Sequence, residues 1–159
     1  MVTTISELMV NGETFESSSD PDTPLLYILR NELHLKAPKF GCGLGQCGSC
    51  MVLIDGQAVY SCQMPMKASV GKRITTLEGL GKDEDTLHIV QQAFVELQAA
   101  QCGYCINGMI IAVVALLNRN PSPSEDNIKS ALQGNLCRCG VHARVIKAVQ
   151  RASELLSKR

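Results

Sequence analysis

Cysteines are the residues of this sequence whose number and spacing best suit chemistry. There are eight of them, in two groups of four. The first group is Cys42, Cys47, Cys50 and Cys62, and the second is Cys102, Cys105, Cys137 and Cys139. The N-terminus has neither the basic flank nor the apolar run of a signal peptide, so we expect no export signal. Because the cytosol keeps thiols reduced, metal ligation is a better expectation than a disulfide framework.

The first group lies in the stretch FGCGLGQCGSC and has the spacing C-x4-C-x2-C, with Cys62 as a later fourth ligand. This spacing is typical of plant-type [2Fe-2S] ferredoxins. Three thiolates from one loop must converge on a small cluster, so the backbone has to curl tightly, and the interspersed glycines permit this. Zinc is the alternative, although structural zinc sites usually come as two short knuckles.

The same loop contains the pattern G-x-G-x-x-G at Gly43, Gly45 and Gly48, which is typical of dinucleotide-binding sites. That fingerprint needs a strand before it and a helix after it, so that the helix N-terminus meets the phosphate. Here a predicted helix precedes the loop and a predicted strand follows it. We therefore expect the loop to hold a cluster rather than a phosphate.

The second group reads C-x2-C followed at a distance by C-x-C, and by itself this spacing is more ambiguous. A thioredoxin-like redox pair would need a βαβ setting, which the helical pattern of this half does not suggest. The two pairs have to meet in space to form one site. Loops at the same end of a helix bundle would bring them together.

The first half of the chain predicts a small mixed sheet with one helix lying across it. Asn11-Gly12 and Asp55-Gly56 are typical of tight hairpin turns. Thr23 and Pro24 are suited to the cap and first position of the helix. The predicted strands cover residues 5–10, 14–16, 51–54, 57–60 and 73–77.

The second half predicts four helices after a polar linker over residues 78–85. Apolar residues at helical spacing follow Thr86, which is a candidate cap for the first of these helices. Ser124 is suited to cap the third. The predicted helices cover residues 87–97, 106–118, 124–133 and 145–156. The whole chain is therefore expected to belong to the α+β class.

Composition excludes several function classes. The formal net charge is zero and 45% of residues are hydrophobic, so no charged surface for nucleic acid or anionic lipid is expected. The longest apolar run is far shorter than the roughly 20 residues that span a bilayer. His34, His88 and His142 are scattered, which is typical of surface or capping residues, and His142 is the one to test because it follows Cys139 closely.

Taken together, the motifs CGLGQCGSC, QCGYC and NLCRCG resemble the iron-sulfur subunit of the molybdenum hydroxylases, the family of xanthine dehydrogenase and aldehyde oxidoreductase. The resemblance covers nearly the whole chain. It implies a β-grasp plant-type ferredoxin domain over residues 1–78 and a four-helix [2Fe-2S] domain over residues 79–159. It also implies that all eight cysteines are cluster ligands, and that Gln101 and Cys139 lie against the pterin of the molybdenum cofactor.

The stretch GVHARVIKAV after Cys139 is similar to the isoquinoline and nicotinate type of dehydrogenase. That likeness implies that the acceptor is a cytochrome c and the partner a large molybdenum subunit, with a flavin subunit less expected. The chain would carry electrons released when the partner oxidises an N-heterocycle or an aldehyde. A free-standing two-cluster ferredoxin is the alternative. We expect a cytoplasmic location, or a periplasmic one if a signal-bearing partner exports the chain.

Overall fold

The computed structural model describes residues 5–81 and 86–158, and it confirms the α+β class. Within these ranges, five strands form one mixed sheet in the order β2-β1-β5-β3-β4. The strands are β1 (Ser6–Val10), β2 (Glu13–Ser17), β3 (Met51–Ile54), β4 (Gln57–Tyr60) and β5 (Arg73–Thr75). Both predicted hairpins are present, since Asn11 and Asp55 adopt positive φ angles of 54° and 49° at the turns. Strand β1 pairs in parallel with β5 at the centre of the sheet.

Strand β5 ends at Thr75, two residues before the predicted end. The reason is a hydrogen bond to the turn between β1 and β2: the Thr76 amide donates to the Asn11 side chain, at Oδ1, at 2.9 Å. The chain then forms a 3₁₀ turn over Leu77–Gly79. Glu78 Oε1 in this turn accepts from the Lys36 and Ala37 amides at 3.0 and 2.7 Å, so the start of the predicted linker is held against the first half. Residues 82–85 of that linker lie outside the described residues.

The helix that crosses the sheet is short and changes pitch. Helix α1 (Leu25–Tyr27) continues as a π-helical turn over Ile28–Glu32. The predictions of Thr23 as the cap and Pro24 as the first helical residue were both wrong by one position. Pro24 is the cap residue, the helix begins at Leu25, and no side-chain bond caps it. The Leu25 amide donates instead to Met64 O at 2.7 Å, so a neighbouring loop satisfies the first turn.

Strand β3 is buried on both faces, which connects the two halves of the chain. Val52 and Ile54 belong to the core between the sheet and α1. Met51 and Leu53, which point the other way, belong to a second and larger core made by the helices. The continuous apolar run MVLI is typical of a strand buried on both sides. One strand therefore serves as a wall of both cores.

The described part of the second half contains four helices, as predicted: α2 (Ile89–Glu96), α3 (Ile106–Arg119), α4 (Glu125–Leu132) and α5 (His142–Leu156). Ser124 caps α4 as expected, accepting from the Asn127 amide at 3.2 Å. The prediction of Thr86 as the cap of α2 was wrong. His88 is the cap residue, and its Nδ1 accepts from the Val90 amide at 3.2 Å. Among the described residues no helix has the length and apolar character needed to cross a membrane.

Candidate iron-sulfur sites

The loop of the first site turns its amide groups toward sulfur. Gly43, Gly45 and Gly48 adopt φ angles of 67°, 66° and 76°, a region that favours glycine. The Leu44 and Gln46 amides donate to Cys42 Sγ, each at 3.3 Å. Donors aimed at sulfur in this way stabilise thiolates, and hydrogen bonds to the sulfurs tune the potential of a cluster.

Two thiols of the first site have opposite pKa shifts. Burial works against ionisation of Cys42, but the amides of Leu44 and Gln46 outweigh it and lower the pKa of its thiol to about 7. Burial raises the pKa of Cys50 to about 12, and the neighbouring Cys62 thiol adds to this rise. An electropositive iron centre would reverse the second effect, because a coordinating thiol is deprotonated outright.

The second site lies where three helices begin or end. Cys102 and Cys139 bring their sulfurs to 3.5 Å of each other. Cys105 immediately precedes α3, where burial and the Cys137 thiol raise its pKa to about 12. The pKa of Cys137 is lowered in spite of its burial, chiefly because the Val141 amide at the start of α5 donates to it. The loops that carry the second cysteine group therefore meet, as the sequence led us to expect.

Within each group the thiols contact one another in pairs. The pairs are Cys42 with Cys47, Cys50 with Cys62, Cys105 with Cys137 and Cys102 with Cys139. A [2Fe-2S] cluster has two irons that each take two cysteine ligands, so this grouping fits the cluster. In the described ranges, no three or more His, Cys, Asp or Glu side chains are placed to hold a single metal ion. The ligand role of these residues stays a prediction.

The two sites lie against each other. The Leu136 amide, next to Cys137, donates to Cys47 O at 3.0 Å. Gly48 packs on Gly108 of α3 so closely that a Cβ on Gly108 would lie 1.9 Å from the Gly48 carbonyl oxygen. Sequence reasoning missed this junction. A signal for it was the polar Asn107 beside Gly108, at the start of an otherwise apolar helix.

Gln101 and Cys139, the predicted pterin contacts, lie together on the exposed side of the second site. Gln101 Nε2 donates to Cys139 O at 3.2 Å. A cavity of about 490 Å³ next to them is lined by the second cysteine group and by Tyr104, Leu136 and His142, among others. The pterin contact itself stays a prediction. His142 lines this cavity beside the four cysteines of the second group.

Comparison with known proteins identifies the family. A protein-family model described as "2Fe-2S iron-sulfur cluster binding domain" matches residues 8–74, and a second family model, described as "[2Fe-2S] binding domain", matches residues 76–150. A nicotinate dehydrogenase subunit of Pseudomonas putida is 57% identical over 158 residues, which cover 99% of both chains. The chain belongs to the iron-sulfur subunits of the molybdenum hydroxylases. Two [2Fe-2S] domains in this family imply two clusters.

Other members of the molybdenum hydroxylase family agree in sequence and fold. The alpha subunit of isoquinoline 1-oxidoreductase from Brevundimonas diminuta is 43% identical, over 93% of this chain and 97% of its own. The structure of quinoline 2-oxidoreductase from Pseudomonas putida matches with a TM-score of 0.91 and 33% identity, over 98% of this chain and 96% of the other. The expected likeness to the nicotinate and isoquinoline type is confirmed.

Proposed function

We propose that this chain is the electron-transfer subunit of a molybdenum-dependent hydroxylase or dehydrogenase. Its large partner subunit holds the molybdenum cofactor, and this chain conducts electrons from there to an external acceptor. A bound [2Fe-2S] cluster supplies one-electron transfer. The observation that carries the proposal is the contact between the two cysteine sites, where one hydrogen bond of 3.0 Å joins Leu136 N to Cys47 O.

The second site is the one that faces the large subunit. Cys102 is exposed, and Tyr104 and Leu136 around it are 50% and 61% exposed. Apolar side chains gathered at an open surface mark interaction sites. In the complex this surface is covered by the molybdenum subunit, and Gln101 and Cys139 contact the pterin.

The substrate is an N-heterocycle, with an aldehyde as the alternative. Support comes from relatives that are named for nicotinate and isoquinoline, at 57% and 43% identity. An aldehyde oxidoreductase iron-sulfur-binding subunit of Escherichia coli is more distant, at 38% identity. The substrate pocket lies in the large subunit, so this chain contributes electron transfer and pterin contact only.

The acceptor docks at the first site. Leu44, inside the cysteine loop, is 66% exposed, and the neighbouring Phe40 is 48% exposed. The acceptor we propose is a cytochrome c, and the less favoured alternative is a flavin subunit. The cytoplasm is the proposed compartment, with the periplasm as the alternative if the partner exports the complex. A haem or flavin absorption spectrum of the purified complex identifies the acceptor.

Affinity purification of the tagged chain, co-expressed with its neighbouring genes, tests the proposed function. We expect a stable complex with a large subunit that contains molybdenum, and roughly four iron and four acid-labile sulfide per copy of this chain. A monomer that exchanges electrons unaided would instead favour a free-standing ferredoxin. A colourless zinc protein would refute both functions.

The pterin contact has a test of its own. Replacing Gln101 with Ala removes the amide beside Cys139, and we expect slower reduction of the clusters after rapid mixing with substrate. Gln57→Ala, at an exposed position of β4, is the matched control. Equal rates in the two variants would remove Gln101 from the pterin contact and leave the proposed electron-transfer function standing.

A further inference from the structure

Asn107 is a buried amide that links the two cysteine sites. It lies in the first turn of α3, two residues after Cys105, and only 1% of it is exposed. Its Nδ2 donates to Ser49 O at 3.0 Å and to Met51 O at 3.1 Å. These carbonyls belong to the two residues that flank Cys50, so an amide from the second site holds both sides of a first-site cysteine.

The position of these carbonyls explains why an amide suits them. Residues 48–51 form a turn in which the Met51 amide donates to Gly48 O at 3.0 Å, and strand β3 begins at Met51. Strand β5 pairs only with Leu53 and Ile54 of β3, so residues 49–51 lie beyond its reach. The Ser49 carbonyl accepts from the Lys39 amide at 3.0 Å as well as from Asn107. The two hydrogens of the Asn107 carboxamide join this turn and the first residue of β3 to the start of α3.

The carbonyl of Cys50 itself is held from another direction. Ser61 Oγ, which is fully buried, donates to Cys50 O at 2.6 Å. Three consecutive carbonyls, from residue 49 to residue 51, therefore accept from side chains. Ser61 precedes Cys62, so each donor comes from a segment that also carries a cysteine. The main chain at Cys50 is fixed against both sites.

We propose that Asn107 is a positioning residue that fixes Cys50 of the first site against α3 of the second, and so sets the electronic coupling between them. The proposal rests on the proposed function, in which both sites hold a [2Fe-2S] cluster. Asn107 Oδ1 is buried with no hydrogen-bond partner among the described residues. An unpaired buried acceptor is costly, and the two hydrogen bonds that the amide donates offset this cost.

The test compares Asn107→Leu with Asn118→Leu in the complete complex. The first variant keeps a similar shape but removes both donors, and the second changes an exposed residue of the same helix. The measurements are iron content, the EPR spectrum of the fully reduced protein and the reduction potential of each cluster. We expect normal iron content, a broadened or lost spin-spin splitting between the clusters, and a shifted first-site potential in Asn107→Leu alone. Unchanged splitting and potential in a fully loaded Asn107→Leu protein would overturn the proposal.

A second variant keeps the proposal testable if Asn107→Leu does not fold. Asn107→Ser retains one donor on a shorter side chain that cannot reach both carbonyls, so we expect a smaller change of the same kind. Wild-type splitting and potential in this variant would refute the positioning role. Wild-type protein without iron and sulfide would refute the proposed function itself, so the two failures are distinguishable.

Discussion

Replacing Gly108 with Ala tests whether the two sites are as tightly packed as the structure indicates. The new Cβ would lie 1.9 Å from the Gly48 carbonyl oxygen and 2.7 Å from its carbon. A carbon and an oxygen that are not bonded normally stay about 3.3 Å apart, so the junction has to open by about 1.4 Å. The obstacle is backbone, which cannot swing away like a side chain. The same opening stretches the hydrogen bond from Leu136 N to Cys47 O, now 3.0 Å long.

Two opposing effects determine the magnitude for Gly108→Ala. Alanine in a helix interior is favoured over glycine by about 1 kcal/mol. Overpacking costs about 1–3 kcal/mol, and a weakened hydrogen bond costs about 1 kcal/mol more. We expect overpacking to win, with a net loss of about 2 kcal/mol, or a midpoint lower by about 4–8 °C in a chain of this size.

Thermal unfolding, followed by circular dichroism and by the visible absorption of the clusters, measures the effect of Gly108→Ala. Asn118→Ala is the control, since that residue is exposed on the same helix and is expected to change stability by less than about 0.5 kcal/mol. A Gly108→Ala protein that is as stable as the wild type would refute the close packing of Gly108 on Gly48.

Three further changes have expected outcomes. Ser61→Ala removes the donor to the buried Cys50 carbonyl and should cost about 1–3 kcal/mol in unfolding free energy, whereas the exposed Ser130→Ala should cost far less. In the cluster-free chain at about pH 7.5, iodoacetamide should modify Cys42, whose pKa is about 7, before Cys50, whose pKa is about 12. The reaction at Cys42 should slow as the pH falls below 7, because the reactive thiolate is protonated. Mass spectrometry that finds Cys50 modified first would contradict this order. Cys105→Ala should lower the iron content from roughly four to roughly two per chain while the EPR signal of the first site remains, and loss of all iron would contradict two separate sites.

Turns and helix caps were predictable from the sequence where a short segment determines its own backbone conformation. Asn11-Gly12 and Asp55-Gly56 specify turns because their positive φ angles suit those residue types. Ser124 specifies a cap because its hydroxyl accepts from the Asn127 amide, while its own amide donates to Asn127 Oδ1 at 3.2 Å. The cysteine spacing predicted the two groups of four, whereas the pairs within each group became visible only in the fold.

Features that depend on distant partners were not predictable. Thr23 has a suitable side chain, but α1 begins after Pro24, where the Leu25 amide bonds to the distant Met64 carbonyl. Thr86 was wrong for a local reason instead, since His88 forms a capping box with Gln91. The burial of β3 on both faces depends on helices far along the sequence. Asn107 looked like a helix residue, and only the fold brings its amide to Ser49 and Met51.

Core packing fixes the separation of the two sites together with the loop contact from Leu136 N to Cys47 O. Strand β3 begins at Met51, directly after Cys50, and helix α3 begins at Ile106, directly after Cys105. Met51 and α3 share one hydrophobic core, so each site has a cysteine attached to an element of the same packed unit. Sites built on rigid elements are held more precisely than sites on loops. Because tight packing allows little movement, the packing of the core limits how far the distance between the clusters can vary. Substitutions at the contact between β3 and α3 should therefore alter the rate of electron transfer between the clusters, although they replace no cysteine ligand.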